Sequence, residues 1–256
     1  DRFAEFAALK QARASASVPL DAGPETRPRR ELPGREAARP AAPAVASPVV
    51  PDGQAVAEAQ ALSGAAGDIE ALERAVADFT GCNLRNSARS TAFVDGNRKS
   101  RIVIIGAVST AEDDRDGVPF SGPAGDLLDR MLKAIGLSRQ DVLLANIIPW
   151  RPPGSRAPSR PEMDICRPFV ERLLSLARPE AVLLLGNFPA RFFLDANGSI
   201  HGLRGRWFDL PVAEGVTVPT LATFHPSDIL QAPLNKPLVW RDLLMFRMAL
   251  APHEPR

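Results

Sequence analysis

Residues 101–125 read RIVIIGAVSTAEDDRDGVPFSGPAG. The first six form a short apolar run, rich in β-branched residues, that stops at Gly106. An apolar run of that length without polar alternation reads as a strand buried on both faces. The next residues change character: four small uncharged residues at 107–110, an acidic cluster EDDRD at 112–116, then VPFSG at 118–122. Two more runs of the first kind follow, within DVLLANIIPW (141–150) and AVLLLG (181–186). RGRWFDL (204–210) and TVPTLATF (217–224) read as later strands.

Helical spacing separates these runs. AGDLLDRMLKAIG (124–136) places Leu127, Leu128, Met131, Leu132 and Ile135 on one face, with Gly136 as a C-cap. PEMDICRPFVERLLSLA (161–177) reads as a helix, NFPARFFLDA (187–196) begins another, and PLVWRDLLMFRMAL (237–250) closes the chain. Upstream, IEALERAVADF (69–79) carries Ile69, Leu72, Val76 and Phe79 at helical spacing behind Asp68 as an N-cap. Strands alternating with helices, the first three strands apolar throughout, predict an α/β fold. The expected architecture is a three-layer αβα arrangement, with a central, mostly parallel four-stranded sheet and helices on both faces.

The 256-residue chain divides near residue 68. Before it the sequence is rich in Pro, Ala and Arg, without sustained periodicity. Such a composition buries too little apolar surface to offset its ordering entropy. Residues 1–67 are therefore expected to be a disordered tail or linker, with FAEFAALK (3–10) as a short helix outside the core. The domain is expected over 68–252, with a terminal tail at 253–256. Formal net charge is +1, so any basic surface for nucleic acid must be local. Two cysteines are too few for a disulfide framework. No apolar run approaches the roughly 18 residues of a membrane helix, and no signal peptide is visible. A cytoplasmic monomer, in a bacterium placed at the nucleoid, is the expectation.

In a doubly covered parallel sheet, ligands bind beyond the carboxyl ends of the strands. The residues at those ends are Gly106 and the loop to Phe120, Asn146 with the WRPPGSR loop, Gly186-Asn187, and His225-Pro226-Ser227. The Asn amide both donates and accepts, and so can read the edge of a nucleobase. The Phe offers a stacking face, and the His can stabilise negative charge on a carbonyl oxygen. Together they describe a pocket for a flipped-out base. Loops rich in Pro, Gly, Ser and Arg suit phosphate contacts. Taken singly, each residue has a plainer reading: Phe120 as a core plug, Asn146 as a structural cap, EDDRD as a solvated loop. Gly106 alone is no phosphate-binding fingerprint, because no second or third Gly follows at the required spacing.

From about residue 69 to 250 the sequence resembles the uracil-DNA glycosylase superfamily. The likeness is closest to the bacterial and archaeal family 4 branch, whose members usually carry an iron–sulfur cluster. The segments EDDRDGVPFSGPAGDLLDRMLKAIG, NIIPWRPPGSRAPSRPEMDICRPF, LLLGNFPARFFL, LRGRWFDL and TFHPSDILQAPLNKPLVWRDLL carry the likeness, in the family's order. The resemblance implies Phe120 as the uracil-stacking ring and Asn146 as the base-reading amide, with Gly106 and Ala107 at the pocket. It implies His225 beside a uracil carbonyl and Asp113 as the acidic group of the loop. Ser121, Gly122, Arg151, Gly186, Asn187, Pro226 and Ser227 would meet DNA, and Asp228, Ile229 and Leu230 would line a minor-groove wedge.

Two departures qualify the likeness. The family's Gly-Glu-Ala-Pro-Gly is here Gly106-Ala107-Val108-Ser109-Thr110, so the strand-end carboxylate is absent. Asp113, then Asp114, are the remaining candidates to activate water, and a Ser109 or Thr110 hydroxyl could hold it. Of the four cluster-ligand positions, Cys82 and Cys166 match the second and fourth, while Phe79 and Trp150 occupy the first and third. Two thiolates are too few for the usual ligation, so no cluster and no metal are expected.

The function implied is hydrolysis of the N-glycosidic bond of uracil in DNA, by base flipping. Uracil-containing DNA is the expected partner, with a repair or replication protein as the tail's partner and no membrane. The alternative from another class is a DNA- or partner-binding relative that kept the fold and lost the chemistry. An unrelated small-molecule α/β enzyme is the third reading.

Overall fold

The computed structural model describes residues 52–194 and 197–250. Residues 1–51 and the terminal tail lie outside the described residues, and with them most of the expected tail and the FAEFAALK segment.

A six-stranded sheet forms the centre: β1 (Val94–Gly96), β2 (Ile102–Val108), β3 (Leu143–Ile148), β4 (Ala181–Leu185), β5 (Trp207–Ala213) and β6 (Val216–Thr223). Their spatial order is β1-β3-β2-β4-β6-β5. The inner four, β3, β2, β4 and β6, run parallel, and the two edges pair antiparallel. The four expected parallel strands are thus present, enlarged by two edge strands. Every residue of β3 and β4 is buried, as continuous apolar runs require. β5 overlaps the expected strand at 204–210 and runs on to Ala213. β1 was not readable, because three residues (VDG) carry no period.

The helices are α1 (Asp52–Ala65), α2 (Ile69–Asp78), α3 (Asn83–Ser87), α4 (Ala111–Asp116), α5 (Gly122–Ala134), α6 (Arg160–Ala177), α7 (Asn187–Leu194), α8 (Ile200–Leu203), α9 (Pro226–Gln231) and α10 (Lys236–Ala249). α6 packs on β3 with α1 and α2 against it, α7 packs on β4, and α10 packs on β6. Asp68 caps α2 by accepting from the Ala71 backbone N–H at 2.7 Å, and Ile69, Leu72 and Val76 are its buried face. Among the described residues, no helix is long and apolar enough to cross a membrane.

α1 corrects the expected boundary at residue 68. Its buried side chains are Ala55, Ala59 and Ser63, continued by Ala66 just beyond its end. Small residues at that spacing let α1 lie close against α6. Arg172 of α6 ties the pair by donating twice to the Ala66 carbonyl, at 2.7 and 3.2 Å. The fully buried positions of the stripe are small, and only Val56 and Leu62 beside them add larger, partly buried apolar groups, so the hydrophobic pattern did not reveal it.

The chain leaves β2 toward β3 on one side and leaves the adjacent β4 toward β5 and β6 on the other, so the connections from these two neighbours diverge. A crevice opens at such a switch point, outside the carboxyl ends of the strands. Gly106 lies two residues before that end of β2, which runs on to Val108 past the expected stop, and is in register with Asn146, two residues before the end of β3.

Candidate active site

Gly106 lets two side chains close over the end of β2. A Cβ at this position would lie 2.6 Å from Asn146 Oδ1 and 2.6 Å from Phe120 Cζ. Any other residue would push the amide and the ring apart.

Phe120 reaches the site from the loop between α4 and α5. Its φ of 57° is left-handed, a conformation that costs a non-glycine residue about 1–2 kcal/mol. Two neighbours hold it there. Arg139 Nη2 donates to the Phe120 carbonyl at 2.7 Å, itself fixed by Asp95 and Asp129. Gly125 lies directly below that carbonyl, where a Cβ would fall 1.7 Å from the oxygen. Neither Arg139 nor Gly125 was evident from the sequence, because each acts on a backbone oxygen and not on a motif side chain.

Asp113 organises the loop. One carboxylate oxygen accepts from the Ser121 N–H at 2.8 Å. The other accepts from the Thr110 N–H at 3.1 Å and from Asn146 Nδ2 at 3.1 Å. Thr110 and Asp113 form a reciprocal capping box at the start of α4. Burial pushes the Asp113 carboxyl above its ordinary range, and the N–H donors oppose that shift. With three donors on a buried carboxylate, Asp113 is placed to orient Asn146, not to work on solvent. Asp114 faces elsewhere: it accepts from the backbone N–H groups of Arg89 and Ser90. Thr110 is spent on its cap. Ser109 is different, since its buried hydroxyl has no hydrogen-bond partner among the described residues.

His225 is the N-cap of α9. Its Nδ1 accepts from the Ser227 backbone N–H at 3.2 Å and lies 2.7 Å from the Ser227 hydroxyl. Its own backbone N–H donates to Asp228 Oδ2 at 3.0 Å. Since Nδ1 accepts, the ring proton of the neutral imidazole sits on Nε2. Burial lowers the imidazole pKa to about 4, partly opposed by Asp228. The His225 ring stacks on Phe120, with centroids 5.7 Å apart and planes 22° apart. Gly186, at φ 96°, passes behind it, where a Cβ would lie 3.1 Å from His225 Cβ.

The structure therefore brings together Gly106, Asp113, Phe120, Asn146, Gly186 and His225, with half-buried Ala107 next to Gly106. Arg151, three residues beyond β3, donates from Nη2 to Ser155 Oγ at 3.3 Å, while its Nε is buried without a partner among the described residues. Gly122, at φ 65°, begins α5 against Glu112. Asn187 is exposed and Pro226 buried. The expected wedge is corrected in part. Ile229 is buried between α5 and α10, and Asp228 braces the His225 backbone, so Leu230 alone of the three projects.

The residues at the former cluster positions do not fit a four-thiolate cluster. Phe79 stacks on Trp150 with centroids 6.2 Å apart and meets Phe169 edge-on at 5.2 Å. Trp150 Nε1 donates to Thr91 Oγ1 at 3.0 Å. Cys82 and Cys166 are free, buried and adjacent; contact with Cys82, together with burial, holds the Cys166 thiol well above its usual range. A site with two aromatic rings in place of ligands, one of them hydrogen-bonded elsewhere, is a packed core.

The profile described as "Uracil DNA glycosylase superfamily" matches residues 93–244, which contain every residue of this site. Three proteins named Type-4 uracil-DNA glycosylase are similar to the chain. That of Thermotoga maritima is 32% identical, over 66% of this chain and 86% of its own length. That of Archaeoglobus fulgidus is 31% identical, over 64% and 84%. That of Pyrobaculum aerophilum is 28% identical, over 70% and 93%. With the fold, the order of the motifs and the site all in agreement, the chain belongs to the uracil-DNA glycosylase superfamily.

Proposed function

We propose that the protein removes uracil from DNA, hydrolysing the N-glycosidic bond of a nucleotide flipped into the pocket above Gly106. The observation that carries this reading is the fixed amide of Asn146. Ionised Asp113 can only accept, so Nδ2 of Asn146 faces it and the amide has one orientation. The remaining Nδ2 hydrogen and Oδ1 then match the O4 acceptor and N3–H donor of uracil, and mismatch cytosine.

Each residue has a share in the chemistry. Phe120 supplies the stacking face, and exposed Leu230 of α9 helps hold the nucleotide out of the duplex. Bond cleavage leaves an oxocarbenium-like sugar and an anionic base. Neutral His225, with its proton on Nε2, donates a hydrogen bond to the base oxygen where that charge grows. DNA phosphates help balance the sugar cation. Ala107 supplies no base for water. The buried Ser109 hydroxyl is the group free to hold one, which gives position without strong proton abstraction. General-base help is typically worth 10²–10⁴-fold, so a slow enzyme is the expected form. The missing carboxylate is also what favours the second reading, a DNA-binding relative without chemistry. We further propose that the protein works without an iron–sulfur cluster, its place being taken by Phe79 and Trp150.

The test is an oligonucleotide with a single uracil. Alkali-labile strand breaks made by the parent, and lost with Asn146→Asp, support the reading. An Asn146→Asp variant as active on uracil as the parent overturns the role given to the amide.

A further inference from the structure

A cavity of about 720 Å³ lies between α6 and α7. That volume falls within the roughly 300–1,000 Å³ of ligand sites. Asn187, the residue after Gly186, is part of its lining, which sets one wall of the cavity a single residue from the glycine that passes behind His225.

Its lining is unlike the rest of a nearly neutral chain. Arg160, Arg167 and Arg191 face one carboxylate, Asp164, which pairs with Arg160 at 3.1 Å. Arg191 makes no ion pair among the described residues. The Arg167 guanidinium lies 4.0 Å over the centre of the Phe192 ring and also pairs with Glu171 at 3.3 Å. Phe188 and Phe193 line the same cavity. Cations that track a backbone beside aromatic faces that stack bases are the recognition chemistry of single-stranded nucleic acid. A duplex, with its bases already stacked inward, would leave the aromatic faces unused.

We propose that this cavity is a subsite for unpaired DNA flanking the flipped nucleotide: Arg160 and Arg191 hold phosphates, and a base lies against the Arg167–Phe192 pair. The inference rests on the reading of the pocket as a uracil-DNA site and adds the form of the DNA around it. Strand ends, gaps and single strands become the preferred setting, because a nucleotide without a partner can turn into the cavity at little cost.

The double variant Arg160→Ala/Arg191→Ala tests it with a uracil-free single-stranded 20-mer, a uracil-containing 20-mer and a uracil trinucleotide, with duplex DNA and dTMP as controls. Two lost phosphate contacts lower the slope of log K against log salt by about 1.4 on single strands. The expected result is that fall in slope and about tenfold weaker binding of both 20-mers. The loss in excision is concentrated on the long strand, about tenfold against less than twofold on the trinucleotide. Equal slope and affinity in parent and variant overturn the subsite, as does a loss equally large on duplex DNA. Displacement of the 20-mer by dTMP as readily as by a trinucleotide, at matched ionic strength, also overturns it, by making the cavity a mononucleotide site. The pocket's own failure reads differently. A parent that excises no uracil removes the glycosylase reading, while the uracil-free 20-mer still decides the cavity.

Discussion

Asp113 Oδ2 accepts a hydrogen bond from Asn146 Nδ2 at 3.1 Å, in a place where both residues are almost fully buried. This contact turns a symmetric-looking amide into one that presents a single pattern. Asp113→Asn can donate to Asn146 Oδ1 and turn the amide over, so that it faces the base with the pattern suited to cytosine. Uracil excision is expected to fall at least tenfold, and the ratio of cytosine to uracil excision to rise. Paired oligonucleotides carrying one base or the other measure both. An unchanged ratio would show that Asp113 does not set the amide.

Gly106 is required by packing. Gly106→Ala places a methyl 2.6 Å from both Asn146 Oδ1 and Phe120 Cζ. Overpacking of this kind costs about 1–3 kcal/mol. Excision is expected to drop by about 100-fold, while circular dichroism reports a folded protein with a melting temperature lower by several degrees. Full activity in a folded variant would mean that the ring and the amide do not have to be held together.

His225 is expected to stay neutral through the physiological range. Its folded pKa of about 4 lies below the ordinary 6.5, because burial disfavours the imidazolium. The unfolded chain therefore binds a proton between those values that the folded protein does not. The stability this group contributes is complete above pH 6.5 and is lost as pH falls toward 4. Histidine resonances followed by NMR through a titration should show one imidazole with a midpoint near 4, absent in His225→Ala. A midpoint near 6.5 would contradict the buried, neutral donor.

The aromatic filling of the cluster positions makes a chemical prediction. Protein purified under anaerobic conditions should contain no stoichiometric iron and no visible absorption band. Trp150→Ala should destabilise the fold by about 3–5 kcal/mol, as the truncation of a large buried ring does. Stoichiometric iron with a visible band would mean that ligands from elsewhere complete a cluster.

How much of this was legible depended on the kind of signal. β2, β3 and β4 announced themselves because strands covered on both faces form short runs that are apolar almost throughout, Asn146 being the exception. His225, Asn146 and Phe120 could be placed together because each lies near or beyond the carboxyl end of a strand expected in the parallel sheet. α1 escaped notice because alanines at 55 and 59 bury by close approach and not by bulk. The partners of Asp113 were hidden for a related reason. A sequence shows a carboxylate but not its partners, and here the Ser121, Thr110 and Asn146 donors occupy it. Ile229 was placed on a wedge by its neighbourhood in the chain, whereas the turn of α9 rotates it into the gap between α5 and α10. Arg139 and Gly125 act through a main-chain carbonyl, for which sequence carries no mark.

The measurement that bears most directly on the account is single-turnover release of free uracil from a single-stranded oligonucleotide, with parent, His225→Ala and Ser109→Ala compared. The account predicts slow release by the parent, a fall of 100-fold or more without the imidazole donor, and a smaller fall without the Ser109 hydroxyl. Tight binding of the uracil oligonucleotide by the parent with no uracil released would contradict it and leave a binding protein built on a glycosylase frame.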